Sequence, residues 1–362
     1  MGVAEEFYSF PSNGRDQLKI LIYSRPFSPS VGGQEIMMEI LAEEFLSAGH
    51  EVRVVTQTGN AINRHYAYDV VRLPSRRCYA QALDWSDVCL CAGVSLRGLW
   101  PMIMSKKPFV ISHQTVHSAP VWFSLEVLVK RVVTKLSTNV SCSHSVQSRI
   151  GGPSIVIPNT YRSAIFREYS DVHKDLDVVF VGRLVPDKGV EDLIRAFGQL
   201  SQTGLRPQLS IVGDGPDLSY LLGLVSELHL TQQVKFVGVK HGQELARFIA
   251  RHRIMAVPSR WPEPFGIVAL EGLACGCVLV GTTGGGLPEA IGSSGITVPP
   301  GDHAAMAEAL RLLMSSEPLR ARYRLHAREH LARHSPQFIA RRYLDALTEV
   351  RAKKMKQRSI EH

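Results

Sequence analysis

The 362-residue chain has no run of 18 uncharged apolar residues, so it offers no candidate transmembrane helix. Its opening, MGVAEEFYSF, is acidic and lacks an extended apolar stretch, which sets aside a secretory signal peptide. Cysteine is scarce, with six residues at 78, 89, 91, 142, 275 and 277, none at C-x-x-C spacing. Cys89, Cys91, Cys275 and Cys277 lie in apolar runs, and the six read as buried free thiols of a reducing cytoplasm rather than as zinc ligands or a redox pair. Neither G-x-G-x-x-G nor G-x-x-x-x-G-K-[ST] occurs, so neither phosphate-binding fingerprint applies. Positive charge is not concentrated either. Residues 1–170 hold 17 Lys/Arg against 13 Asp/Glu and residues 171–362 hold 24 against 20, which is +4 in each half and +8 in all. No basic domain stands out, and nucleic acid is excluded as a partner. The mild excess suits a small anionic ligand or an anionic surface.

What is present is a globular composition, 45% hydrophobic and 20% charged, at a length that fits two domains. LKILIYS (18–24) reads as a buried strand, a loop RPFSPSVGG follows, and QEIMMEILAEEFLSAGH places Ile36, Ile40 and Leu41 at helical spacing before stopping at Gly49. EVRVVTQ (51–57) is the next strand, so the unit is βαβ and the sheet parallel. Apolar runs at 88–93, 108–113, 138–143 and 154–159 continue the pattern. It restarts with DVVFVGR (177–183), and strands follow at 208–212, 234–239, 254–259, 277–282 and 295–300. The predicted fold is α/β, two Rossmann-like doubly wound parallel-sheet domains facing a cleft. The boundaries are 1–165, 166–334 and a C-terminal helical stretch over 335–362.

The most informative stretch is WPEPFGIVALEGLACGC (261–277). It follows a strand, and the C-terminal strand ends of an open α/β sheet are where ligands bind. The loop ends in a helix whose first N–H groups lack intrahelical acceptors and favour an anion or hydroxyl. Glu263 precedes that helix and Glu271 lies one to two turns inside it; two carboxylate acceptors suit a polyhydroxylated ligand. Glu271 interrupts an otherwise apolar helix, which is costly without a partner. In VGRLVPDKG (181–189), Arg183 ends a strand and Lys188 precedes a helix, so both cations can converge on a pyrophosphate. Gly32 and Gly33 in SPSVGGQE allow close backbone approach to a phosphate or sugar. His113 ends a strand in SHQTVH, and Gly213 sits in the strand-end turn GDGP.

Taken together these segments resemble family 4 of the retaining glycosyltransferases, with the GT-B fold. The likeness runs through SVGGQE, SHQT, IPNTY, FVGRLVPDKG, IVGDGP, FVGV, PSRWPEPFGIVALEGLACG and GGGLPEAIG. The resemblance implies an N-terminal acceptor domain, a C-terminal nucleotide-sugar domain and a last helix, from about Ser335, that crosses back onto the first. It implies that Arg183 and Lys188 clamp the donor diphosphate and that Glu271 holds the ribose. Glu263 and the backbone of Pro264, Phe265, Gly266 and Ile267 would hold the sugar. Gly33 would contact a phosphate, His113 would lie near the reacting sugar, and Val239 with Lys240 would sit where the base is held. A second histidine, His117, follows His113, whose choice rests on its strand-end position. No Asp-x-Asp lies at a strand end in the cleft, so no cofactor and no metal are expected beyond the nucleotide-sugar co-substrate.

The expected activity is retaining transfer of a hexose-type sugar to a glycan or lipid-linked acceptor of surface polysaccharide synthesis. The other readings are an epimerase or hydrolase of nucleotide sugars and a catalytically silent nucleotide-sugar sensor. Residues 119–139 combine Trp122, Phe123, Leu125, Leu128, Val132 and Leu136 with Lys130, Arg131 and Lys135. Such a helix either packs in the core with a solvated basic edge or lies on an anionic membrane. The second alternative would place a cytoplasmic protein peripherally on the inner face of the plasma membrane.

Overall fold

A computed structural model describes residues 17–30, 32–59, 64–115 and 125–360. Contacts divide the chain into two units, residues 1–160 with 335–362, and residues 161–334.

The first unit runs β1 (Lys19–Ser24), α1 (Gly33–Ser47), β2 (Glu51–Thr56), β3 (Asp69–Arg72), α2 (Arg76–Trp85), β4 (Val88–Ala92), α3 (Leu96–Met104), β5 (Phe109–His113), α4 (Leu125–Leu136), β6 (Thr138–Ser141), α5 (His144–Gln147) and β7 (Ile155–Val156). Its sheet has the order β3-β2-β1-β4-β5-β6-β7, and every pairing is parallel. Helices cover both faces of such a sheet, so its central strands are continuous apolar runs: β1 and β4 are buried almost end to end. Burial in β4 pushes the Cys89 thiol up to about 12 and Cys91 up as well, so both stay protonated and unreactive. Five of the six cysteines are buried free thiols. Cys78 departs from that expectation. It lies in the first turn of α2, where Ser75 Oγ accepts its backbone N–H, and it is exposed.

The second unit runs β8 (Leu176–Val181), a 3₁₀ turn (Pro186–Lys188), α6 (Val190–Gln202), β9 (Leu209–Val212), α7 (Leu218–Glu227), β10 (Val234–Gly238), α8 (Gly242–Ala250), β11 (His252–Val257), α9 (Ile267–Ala274), β12 (Val278–Thr282), α10 (Leu287–Ile291), β13 (Gly295–Val298), α11 (His303–Ser315) and α12 (Glu317–Ala332). The strand order is β10-β9-β8-β11-β12-β13, again all parallel. The chain winds outward from β8 to β10, then returns to the other side of β8 with β11. A crevice therefore opens at the C-terminal ends of β8 and β11, the topological switch point.

The last helix, α13 (Pro336–Ile360), belongs to the first unit. Ile339, Ala340, Tyr343, Leu344 and Leu347 fall on one helical face and enter the core of β1, β4 and α1. The Tyr343 hydroxyl reaches Ser112 Oγ at 2.8 Å, and Gln337 donates to Glu44 at 2.9 Å.

Candidate active site

The loops that follow β8, β11 and β12 are stitched together by backbone bonds. The Asp187 carbonyl accepts from the N–H groups of Arg260 (2.9 Å) and Trp261 (3.2 Å). Thr282 Oγ1 donates to the Ser259 carbonyl at 2.7 Å, and Gly286 N–H donates to the Glu263 carbonyl at 2.7 Å. The Arg260 guanidinium grips both carboxylate oxygens of Asp192 at 2.6 Å and reaches Glu191 at 3.0 Å, and this hydrogen bonding raises its pKa further. Gly189, at φ +65°, lets the 3₁₀ turn pass directly over β11; a Cβ there would collide with the Pro258 carbonyl. The result is a rigid frame at the switch point, the kind of support that holds a reacting geometry.

Two of the expected residues meet inside this frame. Lys188 Nζ lies 2.5 Å from Glu263 Oε1, which also accepts from Ser259 Oγ at 2.7 Å. Glu263 is thus held rather than solvated, and its side chain is only 14% exposed. Arg183 follows β8 by two residues and is exposed, with no ion-pair partner among the described residues. Of these two cations, Lys188 is therefore neutralised by a carboxylate, and Arg183 has no counter-charge among the described residues.

The helix carrying the second glutamate is α9. Its N-cap, Gly266, sits at φ +100°, and no side chain caps the helix. The left-handed backbone favours glycine there, and a Cβ would also press on the Leu287 Cδ1 methyl at 2.8 Å. Phe265 and Ile267 are buried, and the Phe265 ring lies tilted against His334 with ring centres 5.7 Å apart. Their side chains anchor the turn, leaving the backbone from Pro264 onward as the part that can meet a ligand. Glu271 is 9% exposed. Burial pushes its carboxyl up to about 7, against an opposing pull from Arg162. A carboxylate this close to neutrality in an apolar helix is a common mark of a functional site.

The remaining expected residues are spread out. Gly213 and Val239 follow β9 and β10, and Gly213 N–H bonds the Gly238 carbonyl at 2.9 Å. Val239 is exposed, while Lys240 is paired with Glu244 and lies 5.3 Å from the centre of the Phe248 ring. Gly32, Gly33 and His113 belong to the first unit. Gly32 is the N-cap of α1 and Gly33 its first residue. His113 ends β5, buried, with Nε2 2.9 Å from Asn139 Oδ1.

Sequence reasoning missed Ser259, Arg260, Asp187 and Arg162. Ser259 ends the run IMAVPS and carried no signal beyond its place before the loop. Of the expected membrane segment, residues 119–124 lie outside the described residues. In α4, Leu128, Val132 and Leu136, four residues apart, are exposed at 59%, 47% and 83%. No described helix is long and apolar enough to cross a membrane.

The model of the family "Glycosyl transferases group 1" matches residues 162–330, which is nearly the whole second unit. The chain is 30% identical over 375 residues to a glycogen synthase of Mycobacterium tuberculosis, covering 87% of this chain and 90% of that one. It is 37% identical over 170 residues to a D-inositol 3-phosphate glycosyltransferase of Corynebacterium jeikeium, covering 44% of this chain and 40% of that protein. Among solved structures, HepE of Anabaena in complex with UDP superposes with a TM-score of 0.78 at 20% identity, over 92% of this chain and all of that one. That likeness establishes the GT-B fold, and the relatives establish the family: the chain belongs to the group 1 glycosyl transferases.

Proposed function

We propose that this protein is a retaining, metal-independent glycosyltransferase of family 4 type that moves a hexose-type sugar from a nucleoside diphosphate sugar to an acceptor hydroxyl. The observation that carries the reading is the Lys188–Glu263 pair at the β8/β11 switch point, with Arg183, on the same connection from β8 to α6, lacking a counter-charge among the described residues. The HepE complexes with UDP and UDP-glucose support the donor class. In this reading Arg183 and Lys188 bind the diphosphate, and Glu271 accepts from the ribose hydroxyls. Glu263, freed from Lys188, and the backbone of the 264–267 turn accept from and donate to the sugar.

The acceptor oxygen attacks the anomeric carbon from the face that the diphosphate leaves. The bond from that carbon to the phosphate oxygen breaks with its electron pair going to the phosphate, and the acceptor proton passes to the same oxygen. Configuration is retained. Arg183, Lys188 and the α9 N-terminus stabilise the charge that grows on the leaving group, the role a metal ion plays elsewhere. The acceptor is a glycan or lipid-linked intermediate of surface polysaccharide synthesis, handled at the inner face of the plasma membrane. The exposed Leu128–Val132–Leu136 stripe of α4 supports that location.

The test is saturation-transfer NMR with a panel of nucleotide sugars, followed by product analysis. Contact with both the ribose and the sugar of one donor, with the anomeric coupling constant of the donor kept in the product, is the expected outcome. Inversion, or donor turnover to an epimer, would reject the reading.

A further inference from the structure

The first unit has its own topological switch point, between β1 and β4, and a cavity of about 470 Å³ lies there. Arg25, Arg97 and Lys130 line it, together with Ser95 and Thr115, and none of its lining residues among the described ones is acidic. Arg25 and Arg97 are exposed and have no ion-pair partner among the described residues. The cavity also abuts the start of α3, whose N-cap Ser95 makes no side-chain cap bond, so the helix dipole adds to the positive field. A second cavity, of about 1090 Å³, runs between α2 and α3. Its walls are mainly apolar, with Tyr79, Leu83, Trp100, Pro101 and Met104. Trp100 and Met104 are 60% and 65% exposed, two large apolar side chains displayed side by side along α3. The two cavities share Leu96 and Arg97 as lining residues, so the apolar groove adjoins the cationic pocket. Val129 of α4 also lines the groove, next in sequence to Leu128 of that helix's exposed stripe.

One molecule that fills both spaces must carry an anionic group and an apolar chain. We infer that the first unit binds its acceptor as an anionic amphiphile, with a phosphate or carboxylate between Arg25 and Arg97 and a hydrocarbon chain in the α2–α3 groove. This rests on the transferase reading for the word acceptor, but the binding itself does not depend on it. A neutral glycan would leave both cations unbalanced and the groove wet. A small free anion would leave the groove empty.

The test uses the full chain and titrates octyl phosphate, octyl glucoside and inorganic phosphate by calorimetry, each below any micelle concentration, at low and high salt. Binding of UDP, GDP and ADP is measured on the same samples. Octyl phosphate is expected to bind at least tenfold more tightly than either of the others, and to weaken with salt. Arg25→Glu, Arg97→Glu and Met104→Glu should each weaken it at least tenfold and leave UDP affinity unchanged. All three positions are exposed, and the wild-type ligand series decides the matter even if a variant fails to fold. Equal affinity for octyl glucoside overturns the anionic site, and equal affinity for inorganic phosphate overturns the groove. Displacement of octyl phosphate by UDP would assign the cations to the donor instead. Binding to anionic vesicles but not to monomeric octyl phosphate would make the surface a membrane contact. Failure of UDP, GDP and ADP alike to bind the wild type would sink the transferase reading while leaving the amphiphile result standing.

Discussion

Replacing Glu271 with Gln should make the protein more stable and the nucleotide site weaker at the same time. The carboxyl is buried, and its pKa is raised from 4.5 to about 7. Between those values the native state holds a proton that the unfolded chain has released, so stability falls as pH rises through this window. The full shift corresponds to at most about 3 kcal/mol at pH 8. His252 masks the effect in a raw stability curve. It is buried between the Phe248 carbonyl and Ser210 Oγ, both at 2.9 Å, and its pKa is lowered from 6.5 to about 4. A depressed histidine gives stability that rises with pH over roughly the same range, which nearly cancels the Glu271 slope. The difference between wild type and Glu271→Gln removes the His252 contribution. That difference should be near zero at pH 4.5 and favour the variant above pH 7, by several degrees in melting temperature for a unit of this size. UDP binding should move the other way. Losing hydrogen bonds to a charged acceptor costs about 1.5–3 kcal/mol, or roughly 10- to 100-fold in Kd. Wild-type affinity should also rise from pH 6 to pH 8 as Glu271 ionises, and the variant should lose that dependence. Chemical denaturation across pH and UDP titration calorimetry supply both readouts. A variant that is less stable at pH 8, or that binds UDP as tightly as wild type, would refute the assignment of Glu271 as a strained carboxylate held for a hydroxyl ligand.

Arg183→Ala and Lys188→Ala should each lower transfer by roughly a hundredfold or more, since a lost charge contact in a water-excluded site costs ~3 kcal/mol; initial rates with a saturating donor check it. Chelation by EDTA should leave the rate largely intact, because these cations supply the charge, and loss of activity restored by added Mg²⁺ or Mn²⁺ would contradict that. Gly189→Ala should destabilise the protein by about 1–2 kcal/mol from its left-handed backbone alone, with more from the collision with Pro258, as read from denaturant midpoints.

The sheets were legible because their strands are fully buried parallel strands: KILIYS, VCLCA and VLVGT are apolar on both faces and bounded by glycine or polar turns. β3, only four residues long and partly exposed at the sheet edge, gave no such run and went unseen. Neither α2 nor α3 was anticipated as a separate helix; α3 carries Pro101 inside it. Glu263 and Glu271 could be singled out because a carboxylate in or beside an apolar helix is costly and so needs a reason. Ser259, Asp187 and Arg260 could not, since their roles come from contacts between loops that lie far apart in sequence: Arg260 meets Asp192 across 68 residues. The pairing of Lys188 with Glu263, 75 residues apart, was hidden for the same cause; of the two cations, Lys188 is held and only Arg183 has no ion-pair partner among the described residues.

The central claim is that a nucleoside diphosphate seats where β8 and β11 diverge, between Arg183, Lys188 and the start of α9. Hydrogen–deuterium exchange of the intact protein, with and without UDP, GDP and ADP, tests it directly. At least one nucleotide is predicted to slow exchange in residues 182–189 and 259–268 together, and to lose that effect in Lys188→Ala. Nucleotide binding that leaves both segments unchanged, or that protects only residues outside the second unit, would contradict the account.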